Sequence, residues 1–187
     1  MAESDEFTGG EMKTKFEMMV TAAVVLALST FLGASLGPLR AQTPDKPTSG
    51  FERLKTLVGE WQGTDESGKP VMSTFRVVSN GTALEETFQS ENDNQMVTMY
   101  TPDGSRVALT HYCSKGNQPR METPAERATT DEFAFGFTGA ANLASPEDAH
   151  LHRLVLQIVD AEHFTETWTI HEKGRDTKKT FHFTRKK

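Results

Sequence analysis

From Val58 onward the apolar residues of this chain fall at every second position, and turn formers break the pattern every dozen residues or so. A period of two belongs to strands whose two faces differ, so such a chain folds into sheet with one face buried. The pattern places strands over Val58–Ser67, Val71–Ser79, Thr82–Ser90, Gln95–Tyr100, Arg106–Cys113, His150–Val159, His163–Glu172 and Lys179–Arg185, with "QPRMETPA" and "DEFAFGFTG" supplying two more. The breaks are turn chemistry: "ESGKP", Asn80-Gly81 as a two-residue hairpin signal, "TPDGS", "ANLASPEDA" and the charged "HEKGRDTKK". Strands that follow one another so closely predict an all-β fold. The expectation is an antiparallel up-and-down β-barrel of about 8–10 strands with an internal cavity. Ahead of it, Phe51, Leu54, Leu57 and Val58 fall at helical spacing, which predicts a short N-terminal helix ending near Gly59.

The N-terminal part reads differently. Residues 18–37 are apolar and uncharged, "KTKFE" precedes them and "PLRAQ" follows. A basic start, an apolar middle and a small residue before a polar stretch predict a secretory signal peptide over residues 1–41, cleaved after Ala41. The apolar run is also long enough for a retained membrane anchor, the alternative reading. The acidic "MAESDEFTGGE" does not suit a signal start, whereas Met12 opens "MKTKFEMMV" and Gly9-Gly10-Glu11 fits a translated purine-rich ribosome-binding run; Met12 is the candidate true start. Residues 42–50, rich in Pro, Ser and Gly, form a linker, and residues 51–187 form the barrel. Export predicts a periplasmic or secreted protein with no stable membrane insertion once the leader is removed. Cys113 is the one cysteine, so no internal disulfide forms even in an oxidising compartment. The net charge of −6, with no basic run interleaved with aromatics, sets nucleic acid aside as a partner.

Gly59-Glu60-Trp61 follows the predicted helix and opens the first strand, and Arg185 ends the last one after "TFHFT". This resembles the calycin superfamily, the lipocalins and their relatives. "LVGEWQG" is also similar to the opening of bacterial lipocalin-like domains of unknown function and of nitrobindin-type haem-binding barrels. The resemblance spans residues 51–187. It implies a structural role for Gly59, Trp61 and Arg185, with the tryptophan closing one barrel end beneath the basic residue of the final strand. It also implies a cavity for a small ligand, without naming the ligand.

Alternation assigns the inner face. In "RVALTHYC", Val107, Leu109, His111 and Cys113 share the apolar side; Glu86 goes with Leu84 and Phe88, His152 with Leu154, Leu156 and Ile158, and Glu166 with Phe164, Trp168 and Ile170. Phe133, Phe135 and Phe137 form a further stripe, and Phe181 with Phe183 another. The predicted pocket residues are therefore Glu86, His111, Cys113, Phe133, Phe135, His152, Glu166 and Trp168. Each polar one taken alone reads as a satisfied core residue. Together they read as a ligand pocket, because two carboxylates buried to no purpose are costly.

His111 and Cys113 project side by side, roughly 6.5–7 Å apart along the strand, beyond the reach expected of a base and its nucleophile. Nothing has the spacing of a metal site. The loop "SKGNQPR" turns the chain at a barrel end, with Asn117, Gln118 and Arg120 as candidates to reach over the cavity mouth. "YCSKGNQPRM" is similar to stretches of uncharacterised secreted lipocalin-like proteins. The leading expectation is a small-molecule-binding barrel for an apolar or amphipathic ligand, with no cofactor and no catalytic residue. Haem or nitrogen-oxide binding through His111 or His152 is one alternative. An acid/base enzyme using Glu86, His111 or Glu166 is the other.

Overall fold

A computed structural model describes residues 49–90, 95–125 and 131–187. The leader, its cleavage point, the start at Met12 and most of the linker lie outside the described residues. Helix α1 (Ser49–Leu54) runs into a 3-10 turn over Lys55–Leu57, so the last two residues of the expected linker are already helical. Phe51, Leu54 and Leu57 are buried, as their spacing requires, whereas Val58 is 43% exposed.

Ten strands follow: β1 (Gly59–Asp65), β2 (Pro70–Val78), β3 (Ala83–Ser90), β4 (Met96–Asp103), β5 (Arg106–Tyr112), β6 (Gln118–Glu122), β7 (Glu132–Ala141), β8 (His150–Ile158), β9 (His163–Glu172) and β10 (Arg175–Arg185). Each pairs antiparallel with its neighbour in sequence, and β1 pairs with β10 to close the barrel. Closure satisfies both edges of the sheet.

Two turns differ from their sequence reading. The β2–β3 ladder ends at Val78 opposite Ala83, so the hairpin loop has four residues rather than the two signalled by Asn80-Gly81. Ser79, Asn80 and Gly81 all take positive φ (52°, 54° and 91°), and the Thr82 hydroxyl donates to the Ser79 carbonyl at 2.7 Å. At the other charged turn the true two-residue loop is Lys173-Gly174, with φ of 51° and 71° between the paired Glu172 and Arg175. That tight turn carries the β10 ladder through "RDTK", where apolar alternation has stopped, so β10 starts four residues earlier than alternation alone places it.

Trp61 packs at the end where β1 begins. It is fully buried, its indole N–H donates to the Leu57 carbonyl at 2.7 Å, and its ring meets Phe164 edge-on at 4.7 Å. Arg185, its register partner on β10, stacks its guanidinium 4.1 Å from the ring centroid. The same guanidinium donates to the carbonyls of Ala161, Val58 and Thr56. Gly59 is required here: its φ is 131°, and a Cβ would lie 2.9 Å from Nη1 of Arg185. Phe75, Tyr100, Phe133, Phe135, Phe164 and Phe183 continue the packing inward from Trp61. This end of the barrel is filled. The opposite end, where β1 finishes at Asp65, is open.

Candidate functional site

Alternation turns Glu86, Thr98 and His111 to the inside, and register aligns them. Thr98 on β4 is paired with Glu86 on β3 and with His111 on β5, so the three form a row across adjacent strands. Glu166 and Trp168 face them from β9. Glu86, Glu166 and His111 are 1%, 0% and 2% exposed. Glu86 accepts one hydrogen bond on each oxygen, from the Ser73 hydroxyl and the Tyr100 phenol, both at 2.8 Å. Glu166 accepts from the Trp168 indole N–H at 3.0 Å on Oε2. His111 Nδ1 is hydrogen-bonded to the Thr98 hydroxyl at 2.9 Å, and the His111 ring tilts against Trp168 at 5.0 Å.

The electrostatics follow from burial. Removal from water raises the Glu86 carboxyl above the usual range, and its bonds from Ser73 and Tyr100 hold that rise back. Burial raises Glu166 well above the usual range, and the neighbouring Glu86 charge adds to it. The two carboxyls act on each other directly across the barrel, by charge and through a side-chain hydrogen bond that favours the protonated form of Glu166. Burial lowers His111 to about 4, so its imidazole is neutral at pH 7. Tyr100 is pushed well up by burial and then by the two carboxylates, and it stays a hydrogen-bond donor. Two buried polar atoms of this group have no partner: Nε2 of His111 and Oε1 of Glu166.

These side chains line a cavity of about 240 Å³ that opens at the Asp65 end. Phe88, Phe181 and Trp168 supply apolar wall; Ser114, Lys115 and Lys179 stand at the rim. Of the residues expected from sequence, the structure brings together Glu86, His111, Cys113, Glu166 and Trp168. Cys113 is half-buried at the mouth and is not paired with His111.

Other expected pocket residues lie elsewhere. Phe133 and Phe135 face inward but sit in the packed half of the barrel, fully buried against Tyr100 and each other. His152 does not line the cavity. A bulge between Leu151 and Arg153 makes it the extra residue of β8, and Leu151 takes the inward place. His152 stacks on Phe137, with the His150 and His171 rings each 5.4 Å away. Among the described residues, no group of three or more His, Cys, Asp or Glu is placed to hold a metal ion.

Asn117, Gln118 and Arg120 do not reach over the mouth. Asn117 is buried and donates to the Ala149 carbonyl, Gln118 accepts from Asn142, and Arg120 projects to solvent. The rim is formed instead by Ser114 and Lys115, earlier in the same loop. Ser73, Thr98 and Tyr100, which orient the polar groups, were not singled out from sequence. Alternation marks all three, since Thr98 and Tyr100 share a face with Met96, and Ser73 shares one with Val71 and Phe75.

No protein-family model matches this chain, and no curated protein matches it. Solved structures do. Rv2717c from M. tuberculosis is similar at 12% identity over 76% of this chain and 100% of that one, with a TM-score of 0.52. A protein of unknown function of the DUF3598 family from Nostoc punctiforme PCC 73102 aligns at 13% identity over 79% of this chain and 53% of that one, TM-score 0.41. A redesigned beta barrel, b11L5F_LGL, aligns at 13% identity over 71% of this chain and 94% of that one, TM-score 0.36. The class defined by fold and cavity is a closed ten-stranded antiparallel barrel with a cavity at one end.

Proposed function

We propose that this chain is an exported, lipocalin-like barrel of the calycin type that binds a small amphipathic molecule in its open-end cavity. The apolar part lies against Phe88, Phe181 and Trp168, and the polar head meets Glu86, Glu166 and His111. One observation carries this reading. Two fully buried polar atoms, His111 Nε2 and Glu166 Oε1, lack partners and belong to side chains of one cavity. Buried polar groups are ordinarily paired, and an unpaired one costs about 1–3 kcal/mol. A ligand head that pairs with both recovers that cost. The volume of about 240 Å³ lies below the range of drug-sized pockets, ~300–1,000 Å³, and so favours a small ligand. Sequence alone supports export: the leader pattern of residues 1–41.

A neutral histidine with a free Nε2 is also what an iron ligand requires, which keeps haem as a second reading, now through His111 alone. One experiment addresses both: native mass spectrometry and an absorption spectrum of the protein purified from its exported fraction, followed by haemin titration of wild type and His111→Ala. The expected result is a small retained molecule and no Soret band. His111→Ala should weaken retention by ~1–3 kcal/mol. A Soret band in the wild type that vanishes in His111→Ala would establish haem instead. A protein that retains nothing, and whose thermal midpoint responds to no small amphipath, would overturn the binding reading.

A further inference from the structure

The buried carboxyl pair lacks a counter-charge. Apart from their interaction with each other, Glu86 and Glu166 accept hydrogen bonds from Ser73, Tyr100 and Trp168, which are neutral donors. Among the described residues, the only charged group acting on either carboxyl is the other carboxyl. Lys115 and Lys179 stand at the exposed rim and make no bond to either. A carboxyl buried away from water is costly to ionise unless a cation or donors meet it. Here no cation among the described residues pairs with it, and Glu166 Oε1, a side-chain atom of the cavity lining, accepts no hydrogen bond.

The chemistry of the missing partner can be narrowed by elimination. A carboxylate ligand would place a third acid beside two buried ones. An alcohol would satisfy Oε1 but give an ionised carboxyl no counter-charge. A protonated primary amine brings three donors and one positive charge in the smallest volume. The walls suit it as well, since Trp168, Phe88 and Phe181 supply apolar surface for the stem. His111 Nε2, once its tautomer leaves it a lone pair, takes a further ammonium proton.

We infer that the head group this site takes is a primary ammonium on a short apolar or aromatic stem, held between Glu86 and Glu166; the inference rests on the binding cavity proposed above. The proton balance is simple. Burial favours the protonated, uncharged form of both carboxyls before a ligand binds, the ammonium arrives with its own charge, and binding expels one carboxyl proton to solvent. The complex then carries the ammonium against ionised carboxylate.

The test is calorimetric titration of the purified protein at pH 7.5 with three probes of matched size: 2-phenylethylamine, 2-phenylethanol and phenylacetate. The amine should bind at least tenfold tighter than the alcohol, and phenylacetate weakest of the three. Repeating the amine titration in buffers of different ionisation enthalpy should show release of up to one proton per amine bound, and none for the alcohol. Glu166→Gln should lower amine affinity at least tenfold while changing alcohol affinity less than threefold. Glu86→Gln is the second variant should Glu166→Gln fail to fold. Alcohol or phenylacetate binding as tight as the amine, or amine binding without proton release, would overturn the ammonium inference and leave the cavity reading standing. If none of the three binds, the cavity reading falls together with it.

Discussion

Arg185 closes the filled end of the barrel through contacts that can be weighed one by one. Its guanidinium donates to Ala161, Val58 and Thr56 carbonyls at 2.9, 2.9 and 3.0 Å, and lies 4.1 Å from the Trp61 centroid. These carbonyls come from two separate segments, the β8–β9 turn and the exit of the 3-10 turn, so one side chain ties β10 to both. At ~0.5–1.5 kcal/mol net per hydrogen bond the three give about 1.5–4.5 kcal/mol. The stacked cation adds ~0.5–1 kcal/mol at a partly exposed site. Partial solvation of Arg185 lets water replace some of these bonds, so Arg185→Ala is expected to cost about 2–4 kcal/mol. Arg185→Met keeps the apolar stem over Trp61 and should lose nearly as much, because the hydrogen bonds dominate. Arg185→Lys should recover less than half, since an ammonium does not span three carbonyls arranged for a planar fork. Equilibrium urea unfolding read by tryptophan fluorescence and circular dichroism measures all three, with an unchanged m-value as the control for a native-like fold. A loss below about 1 kcal/mol for Arg185→Ala would refute the closure argument. Full rescue by lysine would refute the claim that geometry, rather than charge, does the tying.

Gly63→Ala should be severely destabilising or non-folding, because its Cβ would lie 2.1 Å from the His182 carbonyl oxygen on the paired β10 backbone, which has no flexible end to move aside; a native-like circular dichroism melt would contradict that register. Stability should also depend on pH from two directions. The raised carboxyls of Glu86 and Glu166 stabilise fully below the unfolded carboxyl value of about 4.3, and that contribution is lost as pH rises through their folded values, at ~1.4 kcal/mol per unit. His111 works oppositely: its folded value of about 4 means the neutral ring stabilises above the unfolded value near 6.5, and that part is lost as pH falls towards 4. Between about pH 4.3 and 6.5 the two effects oppose each other, and above 6.5 only the carboxyl loss remains, so urea midpoints should fall on the alkaline side, with Glu166→Gln flattening that fall and His111→Phe removing the opposing rise between pH 4 and 6.5; variants that leave the profile unchanged would show that these groups do not set it.

How far the site was legible in the sequence depends on which coordinate of the barrel is asked for. Facing is written into the period of two: Glu86, His111, Glu166 and Trp168 all point inward as alternation requires. Opposition is not. Glu86 and Glu166 lie eighty positions apart, and only the closing β1–β10 ladder and the register of every strand between bring them into one cavity. Depth along the barrel axis is likewise absent from alternation, which is why Phe133 and Phe135, correctly inward, sit in the packed half instead of on the cavity wall. A bulge removes even the facing signal, since one added residue inverts everything beyond it. In "HLHRLVLQI" the inward apolar residues are Leu151, Leu154, Leu156 and Ile158, and the step of three between the first two is the trace of that bulge. Taken as uninterrupted alternation, the stretch sends His152 inward. Taken with the step, it sends Leu151 inward and His152 out of the lining, so that the cavity histidines are His150, from the start of the same strand, and His111, which stands in the row with Glu86.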